Sequence, residues 1–261
     1  MNITLEGNRA LVGGATSGLG KAIALQLAAC GATVTLMARN QGKLKTMLQE
    51  LPRPSHQTHD YLIVDFENFD DSQERIQAYF DGKSVDILVN NTHGPAAGPA
   101  MDIGVQDYQE AFDLLFKTYC FTTSLALPNM LGNKFGRIIN VSSMSVQEPL
   151  ANMALSNSIR AAVVNWAKTL ADEVAPHGIT VNNILTGSFD TERLKTLHKK
   201  QAEQKGINLE VWRQQAAEKI PMRRFGRPEE YGYLAAFLAS KFAAYITGTS
   251  IPIDGGALRS V

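Results

Sequence analysis

The run Gly13-Gly14-Ala15-Thr16-Ser17-Gly18-Leu19-Gly20 constrains this chain more than any other stretch. A short apolar segment, Arg9-Ala10-Leu11-Val12, precedes it. A helical pattern follows, with Ala22, Ile23, Leu25, Leu27 and Ala28 on its apolar positions. Strand, glycine loop and helix in that order form a turn suited to a dinucleotide. Glycine admits the left-handed backbone of the turn and lets a pyrophosphate come close. The helix N-terminus then presents free N–H groups and a positive dipole end to the phosphates. The spacing is Gly-x3-Gly-x-Gly rather than Gly-x-Gly-x-x-Gly, and a glycine turn of this kind can also occur without a ligand. Its place on the first strand of a βαβ pattern favours the cofactor reading.

Behind the glycine loop, strands and helices alternate. Strands are expected at Thr33–Met37, Tyr61–Val64, Val85–Val89, Arg137–Val141, Thr180–Ile184 and Ser250–Ile253. Between them helices are expected over Gln41–Glu50, Asp70–Phe80, Asp107–Met130 and Leu155–Ala175. Alternation of this kind implies a parallel sheet with right-handed crossovers. The strands are almost continuously apolar, as when both faces of a sheet are covered. The 261 residues suit one α/β domain over 1–261, without repeat or linker. One shift in composition occurs between Thr191 and Arg213, where six basic residues stand against three acidic ones. This is either a solvated helical excursion or a lid, placed at 190–220, over a site.

Charge and cysteine content exclude several classes of function. Lys and Arg balance Asp and Glu at 25 each, so no whole-protein nucleic-acid footprint exists. Cys30 and Cys120, both in apolar helical patterns, make no disulfide framework, and no metal-ligand spacing is present. No apolar run is long enough for a membrane span, and the first residues lack the pattern of a secretory signal. A cytoplasmic protein is expected.

In an open α/β sheet the ligand lies beyond the carboxyl ends of the strands. Arg39 follows the second strand, where an NAD-binding chain would carry an acid for the ribose hydroxyl. Met37-Ala38-Arg39-Asn40 has no acid, and a guanidinium suits a 2′-phosphate. NADP is therefore expected over NAD. Asp65 ends the third strand and can accept from the adenine amino group. Asn90 and Asn91 end the fourth strand, Ser142 and Ser143 the fifth, and Thr186-Gly187 the sixth, with Thr191 just beyond.

These residues resemble the short-chain dehydrogenase/reductase family over almost the whole chain. The resemblance is carried by Gly14-x3-Gly18-x-Gly20, Asp65, Asn90-Asn91, Ile139-Asn140-Val141-Ser142-Ser143, Val181-Asn182, Thr186-Gly187, Gly226-Arg227-Pro228-Glu229-Glu230 and Asp254-Gly255-Gly256. Among subgroups the chain looks most like the 3-oxoacyl-acyl-carrier-protein reductases. The resemblance implies a single Rossmann-type, doubly wound domain with a seven-stranded sheet. It also implies a nicotinamide cofactor held by Gly14, Thr16, Ser17, Gly18, Leu19, Gly20, Arg39, Asp65, Asn90, Gly187 and Thr191. The implied partners are a carbonyl or acyl substrate, with an acyl-carrier protein or a coenzyme A thioester as its carrier. A homotetramer or homodimer packed through the two long helices is implied as well.

The family's catalytic pattern is altered. Its carbonyl-polarising serine matches Ser143. Its tyrosine should lie thirteen residues later and its lysine four beyond that, and those positions hold Ser156 and Arg160. Its relay asparagine aligns with Leu115. A tyrosine titrates near pKa ~10 and can be tuned down by a cation, whereas a serine hydroxyl is a far weaker acid. An arginine keeps its charge at ordinary pH and relays no proton. Loss of a general acid typically lowers a rate by about 10²–10⁴. His93, Tyr119 and a water molecule are the candidate substitutes. Glu148 and Asn152 are expected to line the substrate pocket. The chain reads as an NADP(H)-dependent carbonyl reductase or alcohol dehydrogenase with an atypical proton donor. The alternative is a weak or silent cofactor-binding member acting as a sensor or oligomer partner.

Overall fold

The computed structural model describes residues 2–260. Its strands are β1 (Arg9–Gly13), β2 (Thr33–Ala38), β3 (Asp60–Ile63), β4 (Ile87–Asn90), β5 (Gly136–Ser143), β6 (Ile179–Thr186) and β7 (Ser250–Ile253). All pair in parallel, in the order β3-β2-β1-β4-β5-β6-β7. The chain winds outward from β1 in one direction and from β4 in the other. A crevice therefore opens between the carboxyl ends of β1 and β4. This is the expected single-domain, doubly wound α/β architecture with seven strands.

Two helical layers cover the sheet, which is why the strands read as apolar on both faces. One layer holds α1 (Gly18–Ala29), α2 (Gln41–Glu50) and α9 (Pro228–Ala239), and the other holds α3 (Phe69–Gly82), α4 (Val105–Phe112), α5 (Thr118–Asn133) and α6 (Ala154–Val174). Each layer packs its own apolar cluster against the sheet. Ile23, Leu27, Leu36 and Tyr231 are buried on one side, and Leu88, Leu115, Ile138 and Val163 on the other. Helix α9 lies close on α1. A Cβ on Gly232 would stand 2.7 Å from the Ala22 carbonyl oxygen, so the contact needs a glycine. Among the described residues no helix is long and apolar enough to cross a membrane.

The structure corrects two expectations and adds one element. The helix expected as one piece over Asp107–Met130 is α4, a π-helical turn (Asp113–Lys117) and α5. The wider turn has a local cause: the Thr118 hydroxyl donates to the Asp113 carbonyl oxygen at 2.8 Å, five residues back. Several strands run further than expected at their carboxyl ends; β5 reaches Ser143 and β6 reaches Thr186. Helix α9 was absent from the sequence reading. It begins where Pro228 opens the first turn and the Glu230 carboxylate accepts from the Arg227 N–H at 2.7 Å. Arg224 donates twice to the same carboxylate at 2.8 Å, and these bonds hold the Glu230 pKa down at about 2.

Inside the sheet a row of amides crosses four strands. Asn90, Asn140, Asn183 and Ser250 are register neighbours on β4, β5, β6 and β7. The Asn90 side-chain amide donates to Asn140 Oδ1 at 2.9 Å, Asn140 donates to Asn183 Oδ1 at 3.0 Å, and Asn183 donates to Ser250 Oγ at 3.3 Å. All three asparagines are buried. Each needs such a partner, because an unpaired amide in the interior costs about 1–3 kcal/mol.

Candidate active site

The cleft begins at the glycine loop. Gly14 and Gly18 adopt φ of +56° and +53°, the left-handed region that favours glycine. A Cβ on Gly20 would collide with the Gly14 carbonyl oxygen. The Asn91 side chain braces the loop by donating to the Gly13 carbonyl oxygen at 2.9 Å. Ser17 precedes α1 in an extended conformation and makes no capping bond with its own hydroxyl. The loop is thus a bare backbone cradle at a helix N-terminus, which fits the pyrophosphate of a dinucleotide. Thr16, Ser17 and Leu19 complete its rim. Thr191 stands over it; a Cβ on Gly18 would be 3.4 Å from the Thr191 methyl group.

At the β2 and β3 ends, Arg39 Nη1 lies 3.2 Å from Glu67 Oε2 and 3.9 Å from Asp65 Oδ1. Arg39 and Asp65 are therefore brought together on the side of the crevice where the adenosine would lie. Glu67 was not foreseen there. Its other oxygen is 3.0 Å from His93 Nε2. Burial lowers the His93 pKa, the Glu67 carboxylate opposes that shift, and Arg39 and Arg193 reinforce it. This pairing turns His93 toward Glu67 and away from the role of substitute acid.

Asn90, expected as a cofactor contact, directs its side chain into the sheet, where it bonds Asn140 and, at 3.1 Å, Thr123. The physical reason is the amide row: the side chain of a central strand is enclosed by its neighbours. Gly187 lies against the end of β7, where a Cβ would be 2.5 Å from the Asp254 Cα. Its lack of a side chain allows β6 and β7 to close together at the rim.

On the substrate side, Ser143 ends β5. Its hydroxyl oxygen accepts from the Ser145 N–H at 3.1 Å, which fixes the side chain. Ser156 and Arg160 lie one turn apart on α6, both buried. Arg160 Nη1 donates to the Val141 carbonyl oxygen at 2.6 Å. The phenol of Tyr119 donates to the same carbonyl at 3.3 Å. Burial pushes the Tyr119 pKa up, against the Arg160 charge and bonds from Thr92. Tyr231, behind β6, shares a 3.0 Å bond with the Thr186 hydroxyl and donates to the Ile184 carbonyl at 3.3 Å. Burial pushes its pKa up as well. Both phenols are committed to backbone carbonyls in the interior. Leu115 is fully buried beneath this region.

Glu148, expected beside the substrate, is engaged by the C-terminal segment. It accepts from the Arg259 and Ser260 N–H groups at 2.7 and 2.6 Å and so ties down the last described residues. Asn152 borders a surface hollow of about 430 Å³ with Tyr108, Leu150 and Ser158, on the face of α6 that Ser156 does not occupy.

Past β6 the chain leaves the sheet for α7 (Glu192–Lys205) and α8 (Leu209–Glu218). It returns where it left, because Phe189 and Gly226 form a β-bridge, with Asp190 N–H donating to the Gly226 carbonyl at 2.8 Å and Gly226 N–H to the Ser188 carbonyl at 2.9 Å. Thr191 caps α7 by accepting from the Leu194 N–H at 3.3 Å. Arg193, in the first turn, lays its guanidinium against Gly94; a Cβ there would be 2.8 Å from Nη2. The sequence reading placed Arg193 only within a basic stretch. The cap at Thr191 was the signal that could have set Arg193 on the cleft side of α7.

A family model described as enoyl-(acyl carrier protein) reductase, of the short-chain dehydrogenase type, matches residues 14–257. The chain belongs to the short-chain dehydrogenase/reductase family. Within it, the NADPH-dependent reductase BacG of Bacillus subtilis is 33% identical over 97% of this chain and 98% of its own. The 3-oxoacyl-[acyl-carrier-protein] reductase FabG of Aquifex aeolicus is 30% identical over 98% and 99%. The L-sorbose reductase of Gluconobacter frateurii, solved with NADPH and L-sorbose, superposes with a TM-score of 0.93 at 28% identity, covering all of both chains. The dehydrogenase/reductase architecture thus covers nearly the whole chain.

Proposed function

We propose that the chain reduces a carbonyl compound with NADPH and takes the proton from water rather than from a side-chain acid. One observation carries the reading: an intact glycine cradle lies in the same crevice as Ser143, whose orientation is fixed by Ser145. The relatives support it, since BacG is named an NADPH-dependent reductase and the sorbose reductase was solved with NADPH.

The cofactor, when bound, supplies the hydride. The N–H groups of the glycine loop and the first turn of α1 would hold its pyrophosphate, and Arg39 would take the 2′-phosphate in exchange for Glu67. Asp65 would receive the adenine amino group, and Thr191, which stands over the glycine loop, would cover the bound cofactor. Ser143 donates its hydroxyl hydrogen to the substrate carbonyl oxygen. The Arg160 guanidinium keeps positive charge near the oxygen where negative charge develops. Ser156 is smaller than a tyrosine by a ring, and a water molecule in that space delivers the proton. The carbonyl carbon gains a hydride and its oxygen a proton, giving the alcohol, and the hydroxide left from the water is neutralised by proton exchange with the solvent.

The helical excursion at 190–220 acts as a lid, hinged at the Phe189–Gly226 bridge. The acyl group of the substrate is carried as a thioester of acyl-carrier protein or coenzyme A in one form of this reading. The protein assembles as a homodimer or homotetramer through α5 and α6. Its free thiols, Cys30 and Cys120, suit the cytoplasm.

The test pairs a fluorescence titration of NADPH with NADPH oxidation over a panel of ketones, oxo acids and 3-oxoacyl thioesters. Tight NADPH binding with turnover about 10²–10⁴ below the family's ordinary range is expected. Replacing Ser156→Tyr and Arg160→Lys together should raise ketone turnover more than either change alone, because the pair acts as a unit. Binding without turnover of any compound, before or after restoration, would favour the silent cofactor-binding member. Failure to bind NADPH would end both readings.

A further inference from the structure

One carboxylate reaches both sides of the crevice. Glu67 Oε2 lies 3.2 Å from Arg39 Nη1, just beyond β2, and Glu67 Oε1 lies 3.0 Å from His93 Nε2, beyond β4. Those strands stand on opposite sides of the switch point, in the order β2-β1-β4. The turn after β3 sets Glu67 between them. Phe66 is buried and anchors that turn. The Glu67 N–H donates to Asp65 Oδ1 at 3.3 Å, and the Asn68 N–H and the Ser72 hydroxyl donate to the Asp65 carbonyl oxygen at 3.0 and 2.6 Å. Across the crevice, the Thr92 hydroxyl donates to the His93 carbonyl oxygen at 3.0 Å. Asp65 Oδ1 is farther from Arg39 than Glu67 is, at 3.9 Å.

A carboxylate on this guanidinium occupies the contact that a 2′-phosphate is expected to take. Both side chains are more than half exposed, so water weakens their bond and an arriving phosphate can displace it. The freed carboxylate keeps its second partner. The charged groups facing His93 are Glu67 and Asp65 from the end of β3, Arg39 from the end of β2 and Arg193 from α7. Burial and the two arginines disfavour the imidazolium, and the two carboxylates favour it. A phosphate on Arg39 cancels one of the opposing cations and leaves Glu67 wholly to His93, which then takes up a proton more readily. We propose that Glu67 is a placeholder for the 2′-phosphate and that protonated His93 draws it off, so that this pair sets how strongly the site prefers NADP(H) to NAD(H). The inference rests on the cofactor site of the reductase reading and not on turnover. A 2′-hydroxyl makes no demand on Arg39, so NAD(H) leaves the placeholder where it is. The preference for the phosphate therefore grows as the pH falls through the ordinary histidine value of 6.5.

The experiment measures binding of NADP⁺ and NAD⁺ to the full chain by calorimetry, at low salt because exposed pairs are screened. Adenosine 2′,5′-bisphosphate and AMP repeat it without the nicotinamide. At about pH 8, Glu67→Gln should tighten NADP⁺ by about threefold or more and leave NAD⁺ within about twofold. At about pH 6 that gain should shrink, because His93 already holds the carboxylate. His93→Gln should match the parent at the higher pH and bind NADP⁺ about threefold more weakly at the lower. The 2′-phosphate itself titrates near pH ~6 and binds less well once protonated, an effect common to parent and variants. In Glu67→Gln the further change His93→Gln should do nothing at either pH. Thermal melts check folding, and Glu67→Ala stands in for Glu67→Gln if that variant melts early. Unchanged or weaker NADP⁺ binding in Glu67→Gln overturns the placeholder, and so does equal tightening of NAD⁺. A pH effect of His93→Gln that survives in Glu67→Gln overturns it too, since His93 would then be meeting the phosphate itself. Binding of neither cofactor by the parent ends the cofactor reading and the placeholder with it. The expected pattern of affinities without turnover of any ketone would sustain the placeholder while the reductase reading failed.

Discussion

His59 is buried beside β2, with both ring nitrogens engaged. Nδ1 accepts from the Val34 N–H at 3.1 Å, and Nε2 lies 2.9 Å from the Pro52 carbonyl oxygen. Only the neutral ring with its hydrogen on Nε2 satisfies both. Burial lowers its pKa, the Pro52 bond opposes the shift, and the Arg53 charge adds to it. The unfolded chain thus binds a proton near the ordinary histidine value of 6.5, and the folded one only at lower pH. The stability from this site is complete above pH 6.5 and is lost as the pH falls through the lowered folded value. Melting temperatures measured from pH 8 to pH 5 should fall more steeply for the parent than for His59→Gln. Parallel curves would refute the assignment. Arg39 supports a second prediction at this scale. If it meets the 2′-phosphate through charge-assisted bonds, Arg39→Ala should weaken NADPH by roughly 1.5–3 kcal/mol. NADH affinity should be unchanged, and equal loss for both cofactors in a titration would argue for a general fault in the site.

Among the elements, α7 and α8 stand apart. Helix α8 buries none of its residues fully, and α7 buries only His198 and Ala202. Their attachment is at the base, through the Phe189–Gly226 bridge and the 2.7 Å ion pair of Arg213 with Asp190. Few buried contacts imply a low local opening free energy. Hydrogen exchange should be fast over 192–218 in the free protein and slower with NADPH and a carbonyl substrate bound, while amides of β6 stay protected throughout. Slow exchange in both states would mean a fixed structural pair. The same comparison of elements explains what was legible in sequence. Strand runs and the glycine loop were readable because periodicity and backbone sterics act locally. The π turn was not, since it depends on which carbonyl the Thr118 hydroxyl reaches. Helix α9 was missed although Pro228 and Glu230 mark its start; its packing on α1 through Gly232 is a tertiary fact. In the site, Ser143, Ser156 and Arg160 were singled out by the family resemblance, and the fold puts Ser143 at the end of β5 with Ser156 and Arg160 one turn apart on α6. The inward turn of Asn90, the pairing of His93 with Glu67 and the approach of Arg193 to Gly94 came only with the fold.

At the scale of the whole molecule, large apolar side chains remain on the surface. Met101 and Val105 lie before and at the start of α4, and Tyr233, Phe242 and Tyr245 lie on or after α9. A hollow of about 580 Å³ on α5 is bordered by Phe69, Phe116, Cys120 and Phe121. Apolar surface of this extent favours assembly. Light scattering should give a mass of two or four times 28.5 kDa, and Ser124→Arg at the rim of the hollow should lower it; a monomeric parent would refute the assembly. The amide row of β4 to β7 acts on a different problem, the correctness of the sheet itself. Apolar strands of similar composition can slide by two residues and still bury the same faces. Here such a slide would set Asn90 against Ile138 or Ser142 instead of Asn140. Each amide stranded in this way would carry about 1–3 kcal/mol. The row therefore acts as a lock on the alignment of the sheet: strands paired two residues out of place would carry their own unsatisfied amides, so the correct pairing alone is free of that cost.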